Sequence, residues 1–165
     1  MNQPFLFDIP EPIEDYLIVL DDFIEREIKP LESQDDNIRF FDHRREHART
    51  DWDRNGLPRE DWEALLREMR RRADTAGHFR YALPEEFGGQ NGSNLAMARI
   101  REYLASKGLG LHNDLQNETS IVGNLMTPMM LRDFGTADQQ ARRMEPLLQG
   151  DRGWGLRLPE AAQGA

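Results

Sequence analysis

The chain contains no cysteine, and this absence excludes a disulfide framework, a thiolate metal site and a cysteine nucleophile. It is compatible with a reducing compartment. Long apolar runs are also missing, since no stretch approaches the roughly 18 apolar residues that a membrane-spanning helix needs. The amino terminus, MNQPFLFDIPEPIEDY, has neither the basic start nor the continuous apolar core of a signal peptide. We therefore expect a soluble cytoplasmic protein with no membrane partner.

Basic residues are outnumbered by acidic ones. Lysine and arginine total 21 against 30 aspartate and glutamate residues, which gives a formal net charge of -9. Nucleic acids and anionic membranes attract basic surfaces, so neither is expected as a partner. The length of 165 residues fits one core, because a domain of this size buries roughly 70% of its unfolded surface.

Apolar residues recur at three- and four-residue intervals in the first half of the chain, which predicts amphipathic helices. The first predicted helix spans Glu11 to Leu31, with Pro12 in its first turn and Pro30 at its end. Another begins near Pro58 and ends at Gly77, where a left-handed residue is tolerated. Its predicted buried stripe consists of Trp62, Leu65, Leu66, Met69 and Ala73.

The segment Ser33 to Gly56, between these two helices, is densely charged. It predicts a helix over Asn37 to Arg49, followed by a polar loop at Asp53 to Gly56. A second loop is predicted at Pro84 to Gly92, which contains one proline and three glycines. Ser93 or Asn94 then caps a helix that ends near Ser106.

The second half of the chain predicts two more helices. One runs from Asp114 to Phe134 and is expected to bend or break at Pro128. The last begins after Thr136 as an N-cap and ends at Gly150. A strand pattern occurs only at Gly153 to Leu158. The predicted fold class is therefore all-α, a bundle-like helical domain with a short extended carboxy-terminal tail.

Two short motifs have metal-ligand spacing. The run Asp51 to Gly56 resembles the start of a calcium-binding loop, but its twelfth position is Trp62 instead of the required glutamate. His43 and His47 are four residues apart and would share one helix face, yet arginines surround them and no third ligand has a clear spacing. The sequence favours a polar turn and a solvated charged face over metal sites.

Two other motifs admit a ligand-binding interpretation that the sequence does not favour. The glycine-rich run EEFGGQNG lacks the lysine and the hydroxyl of a phosphate-binding loop. The run Arg70 to Arg72 shares its helix with Glu63 and Glu68, and Asp74 follows it. A solvated helix face explains this arrangement better than a basic patch does.

The order of several segments carries more information than any one motif. The segments are Lys29-Pro30-Leu31-Glu32, YALPEEFGGQNG at Tyr81 to Gly92, RDFGTADQQ at Arg132 to Gln140, and a helix end at Pro146 to Gly150. In this order they resemble the amino-terminal half of the acyl-CoA dehydrogenase family. The charged insert Arg39 to Trp52 is similar to a large-insert branch of that family.

The resemblance implies a helical domain at residues 1–150 and the start of a β-domain at residues 151–165. In the family, the helical domain shelters one side of an FAD cofactor and the pocket for an acyl-CoA substrate, and the subunits form homo-oligomers. Trp154 and Leu156 match positions beside the flavin. Arg157 occupies the position of a flavin-binding threonine, and an arginine cannot accept a hydrogen bond. The flavin contact that the family implies is therefore not reproduced at that residue.

Three functional hypotheses follow. The leading one is a truncated FAD-dependent acyl-CoA dehydrogenase of fatty-acid or related acyl-CoA oxidation, expected to be inactive as this chain because the family's catalytic glutamate lies beyond Ala165. The alternative is a stand-alone helical interaction module without catalytic activity. An enzyme with a site inside these helices is the third, and no constellation of residues supports it. We therefore assign no catalytic residue and no metal ligand.

Three methionines near Pro128 also admit two interpretations. Met126, Met129 and Met130 could line an adaptable pocket for an acyl chain, because methionine fits irregular apolar shapes. The same helical spacing is typical of ordinary core packing. The sequence favours the core.

Overall fold

The computed structural model describes residues 8–42, 48–114, 119–123 and 125–149. The chain forms two compact units, Met1–Asn124 and Leu125–Ala165. Helices dominate both units, so the predicted all-α fold class is confirmed. The α-helices are α1 (Glu11–Phe23), α2 (Lys29–Ser33), α3 (Glu60–Thr75), α4 (Asn94–Ser106), α5 (Met126–Phe134) and α6 (Ala137–Leu148). None of the described helices is both long and apolar enough to cross a membrane.

The first predicted helix is present, but it continues past Pro30. A π-helical turn, Ile24–Ile28, joins α1 to α2. In this turn the Lys29 amide donates to the Ile24 carbonyl, five residues earlier. Proline has no amide hydrogen, and its ring would collide with the carbonyl four residues before it in a regular α-helix. The wider turn accommodates Pro30, and the helical structure then continues to Ser33, two residues beyond the predicted end at Leu31.

The helix predicted over Asn37 to Arg49 is wrong at its carboxyl end. A 3-10 segment occupies Gln34–Phe41 and is kinked by two left-handed residues, Asp35 and Asp36. The short strand β1 (Thr50–Asp51) then pairs antiparallel with β2 (Leu57–Pro58) across a 3-10 turn at Trp52–Arg54. His43 and His47 lie outside the described residues. The paired backbone fixes this segment as a hairpin.

Helix α3 confirms its prediction. It spans Glu60–Thr75, and all five residues of its predicted stripe are buried. Gly77 follows with a φ of 81°. The largest fully buried side chains of this unit come from α1, the π-turn, α3, α4 and the segments around them: Leu20, Ile24, Ile28, Met69, Leu83, Ile100, Leu104, Leu111, Ile121 and Val122.

The glycine-rich loop between α3 and α4 is folded tightly on itself. A Cβ atom built on Gly89 would lie 1.9 Å from the backbone oxygen of Leu83. The Gly89 amide donates to the Pro84 carbonyl at 3.1 Å, and the Gly92 amide donates to the Tyr81 carbonyl at 3.0 Å. Ser93 caps α4, as predicted, by accepting from the Ala96 amide. The glycines therefore permit close backbone packing within the loop.

The helix predicted from Asp114 to Phe134 is wrong in its first half. Strand β3 (Asn113–Asp114) pairs antiparallel with β4 (Thr119–Ser120), and among the described residues of this range only Met126–Phe134 is helical. Pro128 lies in the first turn of α5, where backbone amides have no intrahelical acceptor, so its missing amide hydrogen removes no helical hydrogen bond.

The described part of the second unit, residues 125–149, is a pair of helices in contact, α5 and α6. Thr136 caps α6 as predicted and forms a capping box with Gln139. The buried residues of the second unit that the structure describes are Leu125, Pro128, Leu131, Met144 and Leu148. The predicted end of the last helix at Gly150 and the predicted strand at Gly153 to Leu158 lie outside the described residues.

Candidate functional site

An apolar groove on the second unit is the candidate functional site. It has a volume of about 550 Å³, which is within the range of about 300–1,000 Å³ that is typical of small-molecule sites. Its walls come from α5, the α5–α6 junction and the first half of α6: Met126, Thr127, Met130, Leu131, Phe134, Gly135, Gln139 and Arg143. We call this feature the α5–α6 groove.

Large apolar side chains are exposed along the groove. Met126 is 61% exposed, Met130 46% and Phe134 84%. The prediction that Met126 and Met130 pack in the core is therefore wrong, whereas Met129 is half-buried and does not line the groove. Methionine is unbranched and polarisable, so two such side chains give a wall that adapts to a flexible apolar ligand.

Hydrogen bonds at the α5–α6 junction connect the two walls of the groove. The Gln140 side-chain amide donates to three carbonyls, those of Arg132 at 2.9 Å, Gly135 at 3.1 Å and Leu131 at 3.3 Å. Two of these, Arg132 and Leu131, belong to the last turn of α5, whose carbonyls have no acceptor role within the helix. At Gly135 a Cβ atom would lie 2.4 Å from the Leu131 carbonyl oxygen. The turn therefore requires glycine here for steric reasons, and this requirement could not be recognised from the spacing of apolar residues.

Arg143 gives the groove a positive charge, and none of the described residues that line the groove is acidic. The neighbouring Arg142 differs, because it forms an ion pair with Asp138 one turn earlier. The positions three and four residues from Arg143 hold Gln139, Gln140, Pro146 and Leu147. Within the described part of the chain, no carboxylate lies in ion-pair contact with Arg143.

A buried ion pair in the first unit was not anticipated from the sequence. Arg49 donates to the Asp114 carboxylate at 2.5 Å, and the two side chains are only 15% and 1% exposed. Arg49 also donates to the Phe40 carbonyl at 2.6 Å, and its guanidinium lies 4.5 Å from the centre of the Trp62 ring. Arg49 is one of the arginines near His43 and His47, for which the sequence favoured a solvated charged face, and for Arg49 this prediction is wrong. The pair joins the residues before β1 to β3.

The arginine run on α3 is mostly ion-paired, as predicted for a solvated face. Arg71 and Arg72 both donate to the Glu68 carboxylate at 2.8 Å, and these bonds lower the pKa of Glu68 to about 2. Arg70 is the exception, because burial lowers its pKa. The run is not a free basic patch.

Two buried histidines lie in the first unit. The Tyr16 hydroxyl and the Nδ1 atom of His78 are 3.0 Å apart, and Nε2 of His112 lies 3.1 Å from the Gly108 carbonyl. Burial lowers the pKa of both imidazoles below the usual value of 6.5. A lowered folded-state pKa means that the unfolded chain takes up protons first as the pH falls.

We therefore expect the first unit to lose stability as the pH falls below 6.5, because the unfolded chain is protonated at these histidines before the folded chain is. Well above pH 6.5 these histidines are neutral in both the folded and the unfolded chain, so their contribution to the free energy of unfolding no longer changes with pH. The variant His78→Gln keeps an acceptor for the Tyr16 hydroxyl but cannot titrate, so its stability should fall less steeply. Urea unfolding at several pH values measures this slope. Equal slopes for both proteins would exclude His78 as the source.

The glycine-rich loop uses several of its backbone amides within its own fold. Amides of the glycine-rich loop, including those of Gly89 and Gly92, donate to the loop's own carbonyls. Trp154 and Leu156, the positions implied for flavin contact, lie outside the described residues.

The DWDRNG run, which resembles the start of a calcium-binding loop, is a hairpin turn in which the Asp51 carboxylate accepts from the Arg54 amide. The described segments contain no cluster of three potential metal ligands.

Comparison with known proteins identifies the family. A family model for the N-terminal domain of acyl-CoA dehydrogenase matches residues 32–151. Searches of curated proteins and of solved structures find no significant match. The matched region covers more than half of the chain and contains the glycine-rich loop, α5 and α6. The chain therefore belongs to the acyl-CoA dehydrogenase family, whose amino-terminal domain it carries.

Proposed function

We propose that this chain forms the amino-terminal helical domain of an FAD-dependent enzyme that oxidises acyl-CoA thioesters between the α and β carbons. The match over residues 32–151 carries the proposal, and the α5–α6 groove inside the matched region supports it. In this reaction a base removes a proton from the α carbon while a flavin accepts hydride from the β carbon. Both groups must be held against one carbon–carbon bond.

The proposed contribution of the chain is to bind the acyl part of the substrate. The exposed apolar side chains of Met126, Met130 and Phe134 offer an acyl chain a surface away from water. The Gln140 cap keeps this surface in one geometry. Binding and water exclusion are therefore assigned to α5 and α6. No described residue is assigned the role of the base, which in the family lies outside the amino-terminal domain.

FAD is proposed as the cofactor of the whole enzyme, with Trp154 and Leu156 beside the flavin ring. Arg157 replaces the hydroxyl that the family uses there and cannot accept a hydrogen bond. Together with the internally bonded glycine-rich loop, this argues that the chain alone binds FAD weakly. A cytoplasmic homo-oligomer is the proposed state of the enzyme.

The isolated chain is expected to leave the fluorescence of micromolar FAD unquenched and to reduce no dye when an acyl-CoA is added. Fluorescence titration measures the first and absorbance of the dye the second. A stoichiometric quench would show that this domain holds flavin by itself and would contradict the division of roles proposed here.

A stand-alone interaction module is the second candidate, and the exposed face of α5 favours it as well. Apolar surface of this kind in a folded domain indicates a partner or ligand. The two candidates differ in chemistry, because only the enzyme domain functions together with a flavin. Bound flavin in the protein purified from its source cells would therefore support the enzyme domain, and its absence would support the interaction module.

A further inference from the structure

We propose that Met126 and Met130 are a site of reversible oxidation, at which hydrogen peroxide converts the two thioethers to sulfoxides. The change makes the apolar wall of the α5–α6 groove polar, so the groove loses affinity for apolar molecules. The inference goes beyond the proposed function, because it assigns a chemical reaction to side chains to which that function gives only a binding role.

Methionine provides all the sulfur atoms of this chain. The sequence has seven methionines and no cysteine, so no thiolate competes for an oxidant. Thioether sulfur is soft and polarisable, and peroxides oxidise it to the sulfoxide. Oxidation of sulfur in this protein is therefore oxidation of methionine, and the structure decides which methionines react first.

Exposure separates the two groove methionines from the others that the structure describes. Met126 is 61% exposed and Met130 46%. The other described methionines are half-buried or buried: Met69, Met97, Met129 and Met144. Met69, in α3, is completely buried. Because an oxidant must touch the sulfur atom to react with it, oxidation should begin at the groove.

The reaction transfers one oxygen atom from the peroxide to the sulfur. A sulfur lone pair attacks one oxygen of hydrogen peroxide, the O–O bond breaks and an S–O bond forms. The hydroxide that leaves takes the proton from the newly bonded oxygen and becomes water. The sulfur thus loses two electrons and the peroxide gains them. Methionine sulfoxide reductases reverse the change, which makes the modification reversible.

The position of the two side chains gives the oxidation a consequence for binding. Met126 and Met130 are one helical turn apart on α5 and line the same groove. A sulfoxide oxygen is polar, and covering it with an apolar ligand removes its hydrogen bonds to water at a cost in free energy. Both sulfur atoms lie on exposed side chains, so the buried core keeps its packing and the fold is retained.

The order of oxidation tests the site directly. The full chain is treated with dilute hydrogen peroxide, and fragmentation of its peptides in a mass spectrometer locates each sulfoxide over time. We expect Met126 and Met130 to react at least about tenfold faster than Met69, because peroxide reaches a buried sulfur only when the structure opens. The urea unfolding midpoint should stay unchanged while only these two are oxidised. Equal rates at Met130 and Met69 would overturn the site.

The neutral apolar fluorophore N-phenyl-1-naphthylamine measures the effect on the groove. Its affinity for the wild-type protein should fall at least about fivefold after oxidation, the lower end of the cost of covering an unbonded polar group. The double variant Met126→Leu, Met130→Leu has no sulfur in the groove, so its affinity should be the same before and after peroxide treatment. An equal fall in the double variant would overturn the proposal.

The matched control is Met97→Leu, which removes a half-buried methionine of α4 that does not line the groove. This variant should lose affinity on oxidation as the wild-type protein does. A Met97→Leu variant that resists peroxide would assign the effect to the wrong methionines and contradict the proposal.

Reversal separates the sulfoxides from other oxidative damage. Methionine sulfoxide reductases A and B with dithiothreitol should restore the affinity of the oxidised wild-type protein for the fluorophore. A loss that persists after mass spectrometry shows the sulfoxides removed would overturn the role of Met126 and Met130. These results do not depend on flavin content or acyl-CoA oxidation, so failure of this proposal would leave the proposed function intact.

Discussion

Replacing Arg49 by methionine is expected to lower the free energy of unfolding by about 3 kcal/mol, the cost typical of breaking a buried ion pair. The variant removes the cation that pairs with Asp114, whose side chain is only 1% exposed. It also removes the donor to the Phe40 carbonyl and the guanidinium beside Trp62. Methionine keeps much of the side-chain volume, so most of the loss would be electrostatic. Urea unfolding followed by circular dichroism measures it.

The matched control is Arg26→Met. Arg26 pairs with Asp22 one turn away, and both side chains are mostly exposed. Exposed pairs of this kind contribute about 0.5 kcal/mol or less. Similar losses in the two variants would show that Arg49 and Asp114 are not the buried link between the residues before β1 and the β3–β4 segment.

Replacing Gly89 by alanine is expected to destabilise the first unit by at least about 2 kcal/mol, because a new Cβ atom cannot fit without backbone movement. The nearest atom to that Cβ would be the Leu83 carbonyl oxygen at 1.9 Å, and the carbonyl oxygen of Arg80 would lie at 2.7 Å. Both contacts are with backbone, so no side-chain rotation relieves them. Thermal unfolding compared with the wild-type protein measures the effect.

Gly108→Ala separates crowding from backbone strain. Gly108 has a φ of 87°, and a Cβ atom there would meet nothing within 4 Å. Its replacement should cost about 1 kcal/mol from the unfavourable φ alone. If Gly89→Ala were no more destabilising than Gly108→Ala, the compact folding of the glycine-rich loop on itself would be wrong.

Local patterns were sufficient to predict the elements whose stability is determined by near neighbours. The stripe from Trp62 to Ala73 has an unbroken helical period, and α3 buries all of it. Thr136 and Gln139 form a capping box that the sequence partly displays, since the hydroxyl comes directly before the helix. In both regions the residues that determine the structure lie within one or two turns of each other.

The predictions that were wrong concern segments whose structure depends on residues far away in the chain. Ile121, Leu125 and Met129 have helical spacing, which predicted a helix from Asp114 onward. In the structure Arg49, 65 residues earlier in the chain, binds the Asp114 carboxylate. Asp114 lies in β3, which pairs with β4 where the helix was predicted. A periodic pattern shows which residues are apolar but not whether a partner segment covers them. For that reason the spacing of Met126 and Met130 predicted core packing, whereas the structure places them in an open groove.

We propose that this domain belongs to an FAD-dependent enzyme that oxidises acyl-CoA thioesters, and this proposal can be tested on the protein itself. The most direct measurement is the visible absorbance spectrum of the protein purified from its source cells, recorded without oxygen before and after addition of an acyl-CoA. We expect an oxidised flavin spectrum that the acyl-CoA bleaches. Protein that contains no flavin and oxidises no acyl-CoA would contradict it.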